Sequence, residues 1–225
     1  MKNTHQPTPE RHALTGGRHL LPLALLLISA LVETRAAIPS AALSDPLYAK
    51  GYLKATYYNG VSPAASETDA TRTTRTIKIN EALADAYNSN LALYFPAGTY
   101  EVNDTLKAYT AFVNSSGSAF AVPRNAIAVV GSTLKIRPTI KLVPASGDTK
   151  FNSAVSPHPI FAFKNFSALP PANEDDDAPS SGFFQMLRGI DIDCCGKAGA
   201  IGLYFNQAQN SSIENVKVIE TDAHT

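Results

Sequence analysis

Cysteine is nearly absent: the 225 residues hold only two, and they are neighbours, Cys194 and Cys195. Adjacent cysteines seldom reach ordinary disulfide geometry with each other, so the chain is not a disulfide scaffold. No His or Cys stands near them to complete a metal site, which leaves two partly buried thiols at a strand end. Charge is sparse too. Charged residues make up 17%, the formal net charge is zero, and no long Lys or Arg run occurs. Nucleic acid and anionic membranes both demand a basic surface, so neither is an expected partner. A stable membrane span is also not expected, because the apolar run Leu20 to Val32 has thirteen residues where a spanning helix needs about twenty. H-E-x-x-H, G-x-S-x-G, P-loop and dinucleotide fingerprints are all missing, which removes the chemistries that those motifs carry.

What is present begins with that apolar run. Lys2, Arg11 and Arg18 precede it, and Glu33-Thr-Arg-Ala-Ala follows with Thr34 at −3 and Ala36 at −1. This is the anatomy of a secretory signal peptide, with cleavage near Ala36, and it predicts a secreted, extracellular protein. Residues 37–225 then hold 15 basic and 17 acidic side chains. Hydrophobic residues at 44% allow a sizeable core, and abundant Ser, Thr and Asn with scattered aromatics suit a carbohydrate surface. Four N-x-S/T sequons occur, at Asn103, Asn114, Asn165 and Asn210.

Residues 37–75 read as an irregular segment rich in Ala, Ser, Thr and Pro. A helix is predicted over about Thr76 to Tyr87, where Ile79, Leu83, Ala86 and Tyr87 form one apolar stripe and Asn88-Ser-Asn stops it. Beyond Leu91 the runs are short and β-rich: Leu91–Phe95, Thr99–Val102, Ile127–Val130, Thr139–Val143, Ile160–Phe163, Leu187–Asp193, Ala200–Phe205 and Ile213–Ile219. Leu187-Arg-Gly-Ile-Asp-Ile-Asp aligns with Ile213-Glu-Asn-Val-Lys-Val-Ile at an offset of 26 residues, with apolar residues coinciding at 187/213, 190/216 and 192/218. The same offset sets Arg188 over Glu214 and Asp191 over Lys217. Parallel strands stack about 4.8 Å apart, so both pairs bring opposite charges side by side. Stacked coils, and hence an all-β solenoid over residues 76–225, explain that coincidence better than a sandwich does.

Three stretches resemble the pectate-lyase-like superfamily, whose members include rhamnogalacturonase-, epimerase- and exo-β-1,3-glucanase-type enzymes. They are Ile77–Tyr87 with Ala92-Leu-Tyr-Phe-Pro-Ala-Gly-Thr-Tyr-Glu-Val, then Ile127-Ala-Val-Val-Gly-Ser through Thr139-Ile-Lys-Leu-Val, then Arg188-Gly-Ile-Asp-Ile-Asp through Ser212-Ile-Glu-Asn-Val. The resemblance implies a right-handed parallel β-helix with an N-terminal capping helix. It also implies a secreted carbohydrate-active protein that cleaves polysaccharide by glycosidic hydrolysis or β-elimination. The Gly-Asp-Gly of that family's opening is replaced here by Ser62 to Thr71, with Asp69 as its remnant. Few coils precede Thr225, so a C-terminally incomplete domain is expected, and residues 37–225 alone should aggregate. A non-catalytic glycan-binding or structural surface protein is the alternative, as is an inactive fragment of a longer enzyme.

Hydrolysis needs two carboxyl groups on one face, and elimination needs carboxylates for a cation plus a base. Asp191 and Asp193 meet the geometric demand, because the alternating isoleucines point inward and leave both carboxylates outward, about 6.5–7 Å apart. They are the candidate catalytic residues, with Ca²⁺ as the implied cofactor if the reaction is elimination, and a polysaccharide or oligosaccharide as partner. As ordinary surface groups they would be solvated, with Asp191 paired to Lys217. Glu174-Asp-Asp-Asp, inside the Pro-rich stretch Ala168 to Ser181, reads as a solvated tip or a calcium loop. His158 and His224 have no partner in sequence.

Overall fold

A computed structural model describes residues 37–64, 67–114, 121–123, 126–132, 136–178 and 181–220. The signal peptide predicted over residues 1–36, with its cleavage site, lies outside the described residues, as does His224. Among the described residues no helix is long and apolar enough to cross a membrane.

The first elements are a short helix α1 (Ser40–Leu43), strand β1 (Tyr52–Lys54) and a twenty-residue helix α2 (Asp69–Asn88). Strands β2 (Ala92–Phe95), β3 (Gly98–Val102), β4 (Leu106–Asn114) and β5 (Ala121–Pro123) follow, then β6 (Ala128–Gly131), β7 (Pro138–Leu142) and β8 (His158–Phe166). The last five are β9 (Met186–Arg188), β10 (Asp191–Asp193), β11 (Ala200–Phe205), β12 (Ser212–Glu214) and β13 (Lys217–Ile219). They assemble into three parallel arrays. One sheet runs β1-β2-β6-β9-β12, a second β3-β7-β10-β13, and a third β4-β8-β11 with β5 added antiparallel to β4.

Helix α2 starts seven residues before the apolar stripe predicts. Thr68 caps it by accepting the Thr71 N–H at 3.3 Å, and Asp69 sits in the first turn where the helix dipole favours a carboxylate. Its first turns are held by polar tertiary partners rather than by burial of apolar groups. Arg75 is wholly buried and donates to the Glu101 carbonyl at 3.0 Å, and the Thr76 hydroxyl lies 3.0 Å from Asn103 Oδ1. Ile79, Ala82, Leu83, Ala86 and Tyr87 then enter the same core as the strands.

Each strand alternates faces, so equal registers stack like side chains. Leu53, Leu93, Val129 and Leu187 form one buried ladder, and Tyr100, Ile140 and Ile192 another. The 26-residue register is present: Leu187 pairs with Ile213, Arg188 with Glu214, Asp191 with Lys217 and Ile192 with Val218. Gly189 and Asn215, the equivalent bend positions, are both left-handed, at φ 66° and 54°. The runs predicted as Leu187–Asp193 and Ile213–Ile219 each break there into two strands lying in different sheets.

The expected all-β class, a right-handed parallel β-helix with a helix serving only as its cap, is corrected. The chain is a mixed α/β fold of three parallel sheets with helices. Helix α2 packs on β2, β3 and β4 and supplies five buried apolar side chains, so it is a layer of the core. The physical reason is that short apolar runs report which residues are buried without reporting what covers them. The segment 37–75 is also less irregular than predicted, because β1 pairs with β2 and the first turns of α2 fall inside it.

Candidate functional site

The outer face of the five-stranded sheet carries a groove of about 310 Å³, lined by Leu47, Tyr52, Tyr94, Val130, Gly131, Ser132 and Arg188. Strand alternation builds it. While Leu53, Leu93, Val129 and Leu187 point into the core, the flanking residues of the same strands point out. Lys54, Tyr94, Val130, Arg188 and Glu214 share one outward row, and Tyr52, Ala92, Ala128, Met186 and Ser212 share the other. From Tyr94 to Arg188 the row crosses two strand spacings, about 10 Å.

The wall that contains Leu47 is held by Asp45. Its carboxylate accepts the Leu47 N–H at 2.7 Å and the Tyr57 hydroxyl, and pairs with Lys54 Nζ at 2.6 Å. The Lys54 ammonium first, then the Tyr57 hydroxyl and the Leu47 amide, pull the Asp45 carboxyl down to about 2. Lys54 and Tyr57 are pushed up in turn, chiefly by Asp45. At the other end Arg188 is half exposed, and its Nε lies 3.5 Å from Glu214 Oε2. That separation leaves the guanidinium with donors to spare for a second anion. Gly131 shapes the floor: a Cβ there would lie 2.0 Å from the Gly189 carbonyl oxygen and 2.7 Å from Pro138 Cγ.

Asp191 and Asp193 lie on β10 in the neighbouring four-stranded sheet and do not line the groove. The cation beside Asp191 is Arg137 at 2.7 Å, an ion pair without hydrogen-bond alignment, where the strand register points to Lys217. Asp193 Oδ1 accepts the Cys195 N–H at 2.8 Å and closes the turn after β10. The expected charge pair between Arg188 and Glu214 does form.

A calcium ion takes six to eight oxygen ligands. Among the described residues no group of three or more His, Cys, Asp and Glu could hold a metal. Asp191 is matched to an arginine, and Glu174 is matched to Lys107 at 2.6 Å. These residues do not fit a resident calcium ion. Glu174, Asp175 and Asp176 are all exposed, but Glu174 is tied to Lys107 and Tyr109 and so is not a purely solvated tip. His158 lies against the Phe151 ring, 6.1 Å between centroids. The cysteines differ from each other: Cys194 is buried and Cys195 is exposed.

Tyr52, Tyr94 and the outward placement of Arg188 escape a motif search. Their only sequence signal is alternation around Leu53, Leu93 and Leu187, which sets them on the same side of three strands that are far apart in the chain. In comparisons with known proteins, no family model and no curated protein matches the chain. A solved structure described as Geobacillus virus E2 ORF18 overlaps it with a TM-score of 0.41 at 16% identity, over 70% of this chain and 23% of that one. The chain thus spans about a quarter of the length of that protein.

Proposed function

We propose that this chain is part of a secreted carbohydrate-active protein, and that the groove on its five-stranded sheet binds an acidic oligosaccharide or polysaccharide. The observation that carries this reading is the convergence of Tyr52, Tyr94 and half-exposed Arg188 on one depression. Phenol rings offer flat apolar surface with a hydroxyl at the edge, which matches the face and rim of a sugar ring. A guanidinium recognises a carboxylate through paired N–H donors, which favours a uronate over a neutral sugar. The resemblance of Ala92–Val102 to the opening of pectate-lyase-like proteins supports the same ligand class.

Titration calorimetry of the full chain with trigalacturonate tests the binding. Arg188→Gln should weaken it about tenfold or more, the effect of losing a hydrogen bond to a charged group. Tyr94→Ala should weaken it as well. Equal affinity for parent and both variants sinks the assignment of this groove.

Cleavage by hydrolysis or β-elimination is the second reading, favoured by the two carboxylates on the outward side of β10. New reducing ends without unsaturated ends would mark hydrolysis, and ultraviolet-absorbing unsaturated ends would mark elimination. Either activity should vanish in Asp193→Asn. Intact polysaccharide after long incubation, with binding retained, removes this reading and leaves recognition alone.

A further inference from the structure

The third sheet carries a second set of sugar-suited groups, and the chain covers them itself. Lys107 and Tyr109 on β4, Lys164 on β8 and Tyr204 on β11 project from its outer face. Between them, in the same outward row as Lys107 and Tyr204, lies Ala162, a small residue that is nonetheless fully buried. What lies over this face includes the acidic stretch after β8. Glu174 accepts Lys107 Nζ at 2.6 Å with one carboxylate oxygen and the Tyr109 hydroxyl at 2.9 Å with the other. Lys164 Nζ donates to the Glu174 carbonyl at 2.7 Å. Asp177 accepts the Tyr204 hydroxyl at 3.0 Å and the Asn165 N–H at 2.8 Å.

Each tyrosine therefore has a lysine against its ring, 5.9 Å for Lys107 over Tyr109 and 5.3 Å for Lys164 over Tyr204, and each hydroxyl holds a carboxylate. Tyr109 also packs edge-on to Phe166, with ring centroids 5.0 Å apart. A cation with a phenol donor, twice, around a small residue, has the donor chemistry suited to a ligand that bears more than one carboxylate. The Glu174 end of the strap is held by exposed contacts, whereas its Asp177 end is tied by part-buried hydrogen bonds to Tyr204 and Asn165. The Lys107 and Glu174 side chains keep 39% and 48% of their exposure, where an ion pair holds weakly.

We propose that the outer face of the third sheet is a second binding site for a carboxylate-bearing oligosaccharide, which Glu174 and Asp177 of the strap occupy as a built-in stand-in for the ligand. The sugar class rests on the reading given under Proposed function; the location and the self-occupancy do not. A strap tied to its own site competes at high effective concentration, so the site is masked until ligand displaces it.

The test uses the full chain with trigalacturonate as probe and poly-glutamate as an acidic peptide control, in an Arg188→Gln, Tyr94→Ala background that weakens the groove's own binding and is common to every comparison. Glu174→Gln with Asp177→Asn should bind trigalacturonate about tenfold more tightly than the background chain, a gain of about 1.4 kcal/mol. Adding Lys107→Gln and Lys164→Gln should abolish that gain. No gain on releasing the strap, or a gain that survives loss of both lysines, overturns the proposal. So does tighter binding of poly-glutamate with none of trigalacturonate, which would make the face a peptide site. A second measurement needs no substitution in the strap. The Ala178 N–H donates to the Asn165 carbonyl at 2.7 Å, and trigalacturonate at saturation should speed its hydrogen exchange. Unchanged exchange with ligand bound overturns the displacement.

Discussion

Replacing Gly131 with alanine probes the tightest point where the first two sheets meet beside the groove. The added Cβ would stand 2.0 Å from the Gly189 carbonyl oxygen and 2.7 Å from Pro138 Cγ. Neither neighbour is a flexible side chain. Gly189 is itself held at φ 66°, and its N–H donates to the Glu214 carbonyl at 2.9 Å, which ties this bend to β12. Relief must come from a backbone shift that separates β6 from the bend after β9. Overpacking of this kind costs typically about 1–3 kcal/mol, and a backbone obstacle puts Gly131→Ala near the upper figure. At about 2–4 °C per kcal/mol for a unit of this size, 3 kcal/mol lowers Tm by about 6–12 °C. Thermal unfolding of the parent and variant full chains, followed by circular dichroism at one scan rate, reads the shift. A variant that melts within about 2 °C of the parent refutes the crowding argument, since that shift corresponds to no more than about 1 kcal/mol.

Three further outcomes follow from the same geometry. Asp45 has its folded pKa depressed from the ordinary 3.8 to about 2, so the stability it contributes is full above about pH 4 and is lost as pH falls through about 2. Urea midpoints of the parent should therefore exceed those of Asp45→Asn at pH 5 and converge with them near pH 2; a gap that stays constant with pH contradicts the assignment. Cys195 is exposed, whereas burial first, with Glu220 and Asp193 nearby, pushes the Cys194 thiol up to about 11. A thiol reagent at about pH 8 should label one cysteine quickly and the second only on unfolding, and fast labelling of both would rule out the buried setting of Cys194. Among the sequons, Asn165 is wholly buried with its amide donating to the Ala178 carbonyl at 3.4 Å, and Asn210 is exposed in a left-handed turn. Expression in a glycosylating host should give glycan at Asn210 and none at Asn165 by peptide mass mapping; the reverse occupancy contradicts the burial.

The register of the last rungs was legible in the chain because a 26-residue offset repeats charge and apolarity together. Arg188 does meet Glu214 as that offset requires, and the bend residues Gly189 and Asn215 share a left-handed backbone. Partner choice at Asp191 was not legible, because Arg137 reaches it from the loop before β7, where nothing in the local pattern marks a contact. Strand β4, nine residues long, was missed for a similar reason. Its outward positions carry Lys107 and Tyr109, whose neighbours come from β8 and from the strap, so its apolar alternation is partial.

By itself the sequence determined the strand-rich character of the chain beyond Leu91, the spacing of the final rungs, the capacity of Asn88-Ser-Asn to stop α2, and the scarcity of charge that disfavours nucleic acid and anionic membranes as partners. Only the tertiary structure decided that α2 is a core layer over β2, β3 and β4, which makes the fold mixed α/β. It alone brought Tyr52, Tyr94 and Arg188 together across strands more than 130 residues apart in the chain, and folded Glu174 onto Lys107 and Tyr109. The physical reason is that periodicity along a strand records whether a side chain faces in or out. Which outward side chains become neighbours depends on the order in which strands stack, and hydrogen bonds between backbones set that order with no mark on the side chains.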